Sequence, residues 1–247
     1  MSEILKTEAV VLSKMNYGDT SSIVSLFTED YGKVSLIVKG ARSPKSKYGK
    51  IVDPLNYLSI VFYKKESREI QLLSQADLIE HYQRIKSDID RIEYALAVIE
   101  LVKYILADLE ANKKIFKATI RILSRLNRGD EAPEISFGRF FLFILKETGY
   151  EIQLDACSLC GKTKFSGKLF YNFEKGLICG ECRKSVVDIY DVNLELLEYL
   201  KCLKNIESAD SFSNLIRRKA INFMESHLKY HLSGFKGLSS IKLFNER

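Results

Sequence analysis

No apolar run in this 247-residue chain is long enough to cross a membrane. The longest strongly apolar run, Phe140 to Leu145, falls far short of the roughly 20 residues a spanning helix needs. The opening residues, Met1 to Glu8, show no basic segment followed by an apolar stretch, so no secretory signal is expected. There are three prolines, no long Gly/Ser- or Pro-rich linker and no internal repeat. Catalytic patterns are missing as well. There is no Ser-centred nucleophile elbow and no Gly-x-Gly-x-x-Gly. Gly161-Lys162-Thr163 imitates the end of a phosphate-binding loop, but Ala156 stands where the first glycine belongs. His227 and His231 lie four apart on one helix face, yet Leu228 rather than Glu follows the first, which excludes a zinc-protease helix. Capping or solvent contact near a helix C-terminus is expected of them. His81 stands alone, and Asp88 and Asp90 suit the first turn of a helix. These absences point to a cytoplasmic binding protein rather than an enzyme.

What is present begins with cysteine. Cys157 and Cys160, then Cys179 and Cys182, form two Cys-x-x-Cys pairs with 18 residues between them. Each pair turns two thiolates towards one point, and two such pairs close a tetrahedron around Zn²⁺. Four sulfur ligands leave no open position, so the metal is expected to be structural. Two redox disulfides, or four unligated thiols, are the competing readings. Gly161 and Gly180 follow cysteines of the two pairs, where a left-handed backbone is expected. The fifth cysteine, Cys202, lies in a helical pattern and reads as a small buried apolar residue.

Apolar residues make up 46% of the chain and aromatics 11%, enough for real cores. The formal net charge of +6 is unevenly placed. From Tyr31 to Val52 there are six basic residues, Lys33, Lys39, Arg42, Lys45, Lys47 and Lys50, and no acidic one. Residues 201–247 carry nine basic and four acidic side chains. A solvated face competes with a polyanionic partner as the reading of each charge run.

Residues 1–80 read as strands: Thr7–Leu12, Ser22–Thr28, Lys33–Lys39, Leu55–Tyr63 and Glu69–Gln75 are β-branched, aromatic and bounded by turn residues. Five short strands suit a small barrel of the oligonucleotide/oligosaccharide-binding (OB) type; an SH3-like barrel or an open sheet would read similarly. From Ile79 the period changes to three and four, and one long amphipathic helix is expected through Ile85, Ile92, Ile99 and Leu106. Asn112 caps a second helix ending at Gly129, and Pro133 opens a third ending at Gly149 with an aromatic core stripe of Phe137, Phe140 and Phe141. Asn193 caps a fourth helix running to Lys204, and Ser211 or Ser213 caps a fifth ending near Gly234. The expected fold is therefore α+β: an N-terminal five-stranded OB-fold β-barrel (1–80), then an all-α domain (81–154 and 186–247) with an inserted four-cysteine zinc module (155–185). A hairpin turning at Glu174–Gly176 lies between the cysteine pairs, and zinc is expected to supply the stability this short module lacks.

The stretch from Asn16 to Lys47 contains Gly18-Asp19, a Gly32-Lys33 turn, and Lys39-Gly40-Ala41-Arg42 followed by Lys45-Ser46. It resembles the opening of the bacterial RecO family of recombination mediators, with the first element shortened to Gly18-Asp19. The four cysteines are similar to those of the zinc-bearing branch, and the ending from His227 to Ser240 resembles the family's last helix and tail. The resemblance implies binding of single- and double-stranded DNA, annealing of complementary strands, and, with RecR, help for RecA in displacing single-stranded-DNA-binding protein. It implies a grip on that protein's C-terminal tail and a cytoplasmic, nucleoid-associated location. Lys39, Arg42, Lys45, Lys47 and Lys50 are the expected phosphate contacts. Tyr17 and Tyr48 are candidates for base stacking, with barrel packing as the equal alternative. Arg121, Arg125 and Arg128, spaced along one helix, could rim a tail pocket but read better as a solvated basic face, and the tail site is left unassigned. A zinc-ribbon RNA-binding or transcription-associated module, and a metal-dependent hydrolase with an unseen site, are the competing functions.

Overall fold

The computed structural model describes the backbone of residues 3–106 and 109–245. Period-two alternation through the first eighty residues gives β1 (Glu3–Tyr17), β2 (Ser21–Thr28), β3 (Gly32–Val38), β4 (Tyr57–Lys64) and β5 (Ile70–Glu80). They close into a barrel in the order β1-β2-β3-β5-β4. Closure depends on β1 being long. Its first half pairs with β4 and its second half with β2, with a bulge between Val11 and Ser13 where the strand bends. A short parallel pairing of Ser35–Ile37 with Ile70–Leu72 completes the ring. Inward residues such as Ala9, Val24, Leu36, Ile60 and Phe62 are buried and fill it. This is the OB-type barrel expected from the sequence.

Helices follow. Instead of one long helix from Ile79, β5 continues to Glu80, and α1 (Gln83–Ser87) is separated from α2 (Ile89–Ile105) by Asp88. The cause is local. Asp88 is extended, and its carboxylate accepts from the backbone N–H groups of Asp90 (3.0 Å) and Arg91 (3.1 Å), capping a new helix rather than continuing the old one. In α3 (Lys113–Arg128) the Asn112 side chain accepts from Ile115 N–H, and Gly129 ends the helix in the left-handed conformation. Phe116 of α3 packs edge-on against Phe27 of the barrel, with ring centroids 5.4 Å apart.

The chain divides into two compact units. The first runs to Gly129 and takes up the chain again from Ser239; the second is Asp130–Leu238. The second contains α4 (Pro133–Glu147), β6 (Leu169–Asn172), β7 (Gly176–Cys179), a 3₁₀ turn (Gly180–Ser185), β8 (Tyr190–Val192), α5 (Leu194–Asn205) and α6 (Asn214–His231). The three strands form one antiparallel sheet in the order β7-β6-β8. The α4 stripe of Phe137, Phe140, Phe141, Ile144 and Leu145 is buried, as core. Asn193 and Ser213 cap α5 and α6 through their side chains. A further helix, α7 (Ser239–Asn245), belongs to the first unit, where the Glu100 carboxylate accepts from the N–H groups of Ser239 (2.8 Å) and Ser240 (3.1 Å). Among the described residues no helix is long and apolar enough to cross a membrane.

Candidate functional sites: a basic loop and a four-cysteine cluster

The segment joining β3 to β4, residues 39–56, has no periodic structure, and its shape comes from what it buries. Ala41, Val52 and Leu55 are buried; Ala41 and Val52 join the barrel core, with Tyr48 and Ile51 packed beside them. Gly49 has no space for a side chain: a Cβ there would stand 2.6 Å from the Ala41 carbonyl oxygen. Polar contacts fix the rest. Lys14 Nζ reaches into the loop, donating to the Gly49 carbonyl and to Asp53 Oδ1 (2.8 Å). The fully buried Asn56 donates from Nδ2 to the carbonyls of Lys50 (3.1 Å) and Ile51 (2.8 Å). Its Oδ1 accepts from His81 Nδ1 (3.0 Å) and from Lys86 Nζ. Burial of Lys86 pulls its ammonium pKa below the usual lysine range.

A loop that turns its apolar residues inward must turn its long cations outward. Lys39, Arg42, Lys45, Lys47 and Lys50 are all exposed, and among the described residues none of them forms an ion pair. Five positive charges stand on one ordered loop, with no carboxylate between Tyr31 and Val52. Arg42 differs from the four lysines. Its guanidinium donates to the carbonyls of Gly18 (2.8 Å) and Asp19, and its N–H to Thr20 O (2.8 Å). It therefore ties the loop to the β1–β2 turn. Of the two candidate stacking rings, Tyr48 is half-buried, packs on the barrel core and donates to Ser74 O (3.3 Å), while Tyr17 stands exposed at the end of β1.

In the second unit, the four cysteine sulfurs all lie within 4.8 Å of one another. Cys160 Sγ and Cys179 Sγ are 3.7 Å apart, which matches the edge of a tetrahedron with Zn–S bonds of about 2.3 Å. Two different turns bring them there. In the first, Gly161 N–H donates to Cys157 O (2.9 Å), with Gly161 left-handed as expected (φ 73°). In the second, Cys179 ends β7 and Cys182 rides on the 3₁₀ turn. Gly180 is not left-handed, contrary to expectation; a Cβ there would stand 3.1 Å from Lys168 O, so close approach explains that glycine.

The electrostatics suit a cation. Burial raises the Cys157 thiol pKa, but backbone N–H groups of Cys179, Cys160 and Leu159 outweigh it and bring it down to about 6. Cys182 is pushed up to about 12, first by its neighbours Cys179 and Cys160. Four thiolates cannot share this space without a positive ion at the centre. Cys202 is only half-buried, and it lies outside the cluster.

His227 departs from its expected place. It is buried, its Nε2 2.9 Å from the Tyr150 carbonyl oxygen, and Tyr171 and Phe173 flank its ring. His231, one turn on, is exposed.

Comparison with known proteins gives two family matches: residues 1–82 match the model described as "Recombination protein O N terminal", and residues 86–239 match "Recombination protein O C terminal". The chain is 30% identical to a DNA repair protein RecO of Chlorobium phaeobacteroides, over 92% of this chain and 94% of that protein. It is 28% identical to one of a Thermoanaerobacter species, over 93% of each. A 39% match to one of Salinibacter ruber covers half of this chain and 48% of that protein.

Proposed function

Because the chain belongs to the RecO family of DNA repair proteins, we propose that it is a DNA-binding recombination mediator: it anneals complementary single strands and, with RecR, promotes RecA loading onto DNA coated by single-stranded-DNA-binding protein. It works by holding strands rather than by making or breaking bonds. The observation that carries this reading is the loop from Lys39 to Lys50. Its exposed cations stand on an ordered plug at one end of an OB barrel, with no carboxylate between them. Such a surface attracts phosphate backbone of any sequence and releases its counterions. Lys39, Lys45, Lys47 and Lys50 contact phosphates, and Arg42 does so while holding the β1–β2 turn. Annealing needs two negatively charged strands brought together with their bases left free, and a phosphate-directed surface does this.

Cys157, Cys160, Cys179 and Cys182 hold a structural Zn²⁺, the ion that four thiolates in tetrahedral array select. On this reading the chain belongs to the zinc-bearing branch of its family. Zinc stabilises the second unit and leaves the basic loop to make the DNA contacts.

The test is strand annealing on DNA coated by single-stranded-DNA-binding protein, with the wild type and with Lys45→Ala/Lys47→Ala/Lys50→Ala. The triple variant should anneal poorly. Its log–log salt slope on a single strand should flatten by about 0.7 for each phosphate no longer neutralised. A folded triple variant that binds and anneals like the wild type would remove the loop from the mechanism.

A further inference from the structure

In the second unit, the turn after β6 and the segment leading into β8 are tied to one buried side chain, Asn172. Its Oδ1 accepts from the N–H groups of Glu174 (3.1 Å) and Lys175 (2.8 Å). Its Nδ2 donates to the carbonyls of Val187 (3.2 Å) and Asp188 (3.2 Å). Asp188 stands in the left-handed conformation (φ 53°), which is strained for a residue with a side chain. Both segments line a cavity of about 380 Å³. Three rings from three elements form its wall: Phe173 after β6, Tyr190 of β8 and Tyr230 of α6. The Phe173 centroid is 5.9 Å from that of Tyr190 and 5.9 Å from that of Tyr230. Tyr230 is 55% exposed, and Val187, in the same lining, 79%. A cavity of this size suits one long side chain or a small molecule.

The lining says what chemistry it receives. Aromatic faces carry negative charge density and attract a cation placed over them. Glu174 and Asp188 stand exposed in the same lining, and among the described residues neither forms an ion pair. Lys175 lines the cavity too, so one ammonium is set against two carboxylates and the balance is negative. This is a local reversal in a chain whose formal net charge is +6. A phosphate backbone is repelled from such a place. An arginine side chain suits it on three counts. Its guanidinium is planar and stacks on rings, its N–H fork matches carboxylates, and its methylene stem packs on apolar surface such as Val187. Lysine, a compact and strongly hydrated charge, gains less from the rings.

We propose that this cavity receives an arginine side chain presented by a partner protein. The guanidinium lies against Phe173, Tyr190 and Tyr230 and pairs with Glu174 and Asp188. Asn172 is a positioning residue, since one amide fixes the segments that carry both carboxylates. The site takes charge of the opposite sign from the basic loop, so the second unit can hold a protein without occupying the cations of the first. The inference does not depend on the DNA-binding reading.

Full-length protein with labelled backbone amides is titrated by NMR against a capped glycine peptide carrying one central arginine. The same peptide with citrulline, lysine or glutamate in that place, spermidine, and an oligothymidylate are the other probes. The arginine peptide should shift the amides of residues 172–175, 187–190 and 230. Citrulline has the same shape without the charge and should bind at least about fivefold more weakly. Lysine should bind about two- to fivefold more weakly. Glutamate and oligothymidylate should leave these amides unmoved. Glu174→Gln/Asp188→Asn keeps the shape of both side chains, and asparagine tolerates the left-handed backbone. This variant should bind the arginine peptide about five- to tenfold more weakly. Tyr230→Leu, which removes a ring and keeps apolar bulk, should lose about two- to fivefold. All three positions are exposed, so the fold should survive, which thermal melting checks. No shift with the arginine peptide, equal binding of citrulline, or full affinity in the carboxylate variant would overturn the proposal. Lysine binding as tightly as arginine would overturn the choice of side chain. Tighter binding of spermidine than of the peptide would give the cavity to a free polyamine, and shifts of these amides by oligothymidylate would give it to nucleic acid; either result overturns the protein partner.

Discussion

The guanidinium of Arg42 donates to the carbonyl oxygen of Gly18, 2.8 Å away and 24 residues earlier in the chain, and to that of Asp19 beside it. One side chain thus joins the basic loop to the β1–β2 turn that carries Tyr17. Both carbonyls are at the surface, where water can replace the donor, so the bonds contribute only about 1 kcal/mol each to stability. Arg42→Ala should lower the melting temperature slightly and speed hydrogen exchange in residues 17–20. Lys45→Ala should do neither while removing a similar positive charge from the loop. Lysine at position 42 keeps the charge but not the planar fork. Arg42→Lys should therefore retain salt-dependent binding and still loosen the turn. Unchanged exchange in all three variants would show that the turn holds itself.

Asn56 bears more weight, because it is fully buried. It donates to the carbonyls of Lys50 and Ile51 and accepts from His81 and Lys86. Removing the amide leaves buried polar groups unsatisfied, at about 1–3 kcal/mol each. Asn56→Ala should destabilise the first unit by about 2–4 kcal/mol, read from urea denaturation. Asn56→Asp discriminates further. It keeps an acceptor for His81 and Lys86 but cannot donate to the loop carbonyls. It should regain part of the stability while the loop stays loose and DNA affinity low. Wild-type affinity in Asn56→Asp would mean the loop does not need this anchor.

The barrel was legible in the sequence because inward residues of a half-buried strand alternate with a period of two, and Val24, Leu26, Val34 and Leu36 keep that period without interruption. The cysteine cluster was legible because spacing alone brings two thiols of a pair together. The loop was legible as charge but not as a plug, since Ala41, Val52 and Leu55 follow no period. The break at Asp88 was visible only as an acidic residue at a helix start; that it interrupts a helix depends on one side chain winning two backbone donors. The short elements β8 and α7 span too few residues to show a pattern. His227 was misplaced because a four-residue spacing shows that two residues share a helix face, but not that Tyr150, Tyr171 and Phe173, distant in sequence, cover one of them.

Metal removal should separate the two sites. The four thiols belong to the second unit and the basic loop to the first. A chelator strong enough to strip the ion, or Cys179→Ser, should abolish the bound zinc measured by elemental analysis. It should also lower the melting temperature of the second unit, since metal binding is part of that segment's folding free energy. Under the proposed function the loop supplies duplex affinity, which should then fall by less than about twofold at a temperature where the protein stays folded. A large loss of duplex affinity in a folded, zinc-free protein would make the metal module part of the DNA surface.

The pH dependence of the second unit should carry the mark of His227. Burial, with a minor contribution from His231, outweighs the hydrogen bond to the Tyr150 carbonyl and brings its pKa down to about 4, from the ordinary value of 6.5. Between these two values the unfolded chain binds a proton that the folded one does not, so stability rises with pH across that window and is lost as pH falls through it. At about 1.4 kcal/mol per pKa unit, the loss between pH 7 and pH 5 is about 2 kcal/mol. On its own helix the Glu225 carboxylate is held by Lys229 (3.5 Å) and accepts from Leu238 N–H, and the ring of the exposed His231 lies with its centroid 4.5 Å away. Tyr171 and Phe173 face it from β6 and the turn after it. Glutamine at 227 can donate to Tyr150 O without titrating. His227→Gln should lower stability at pH 7 through poorer packing, yet flatten the slope between pH 6.5 and 4, measured by denaturant midpoints at several pH values. A slope as steep as that of the wild type would assign the acid sensitivity to other groups.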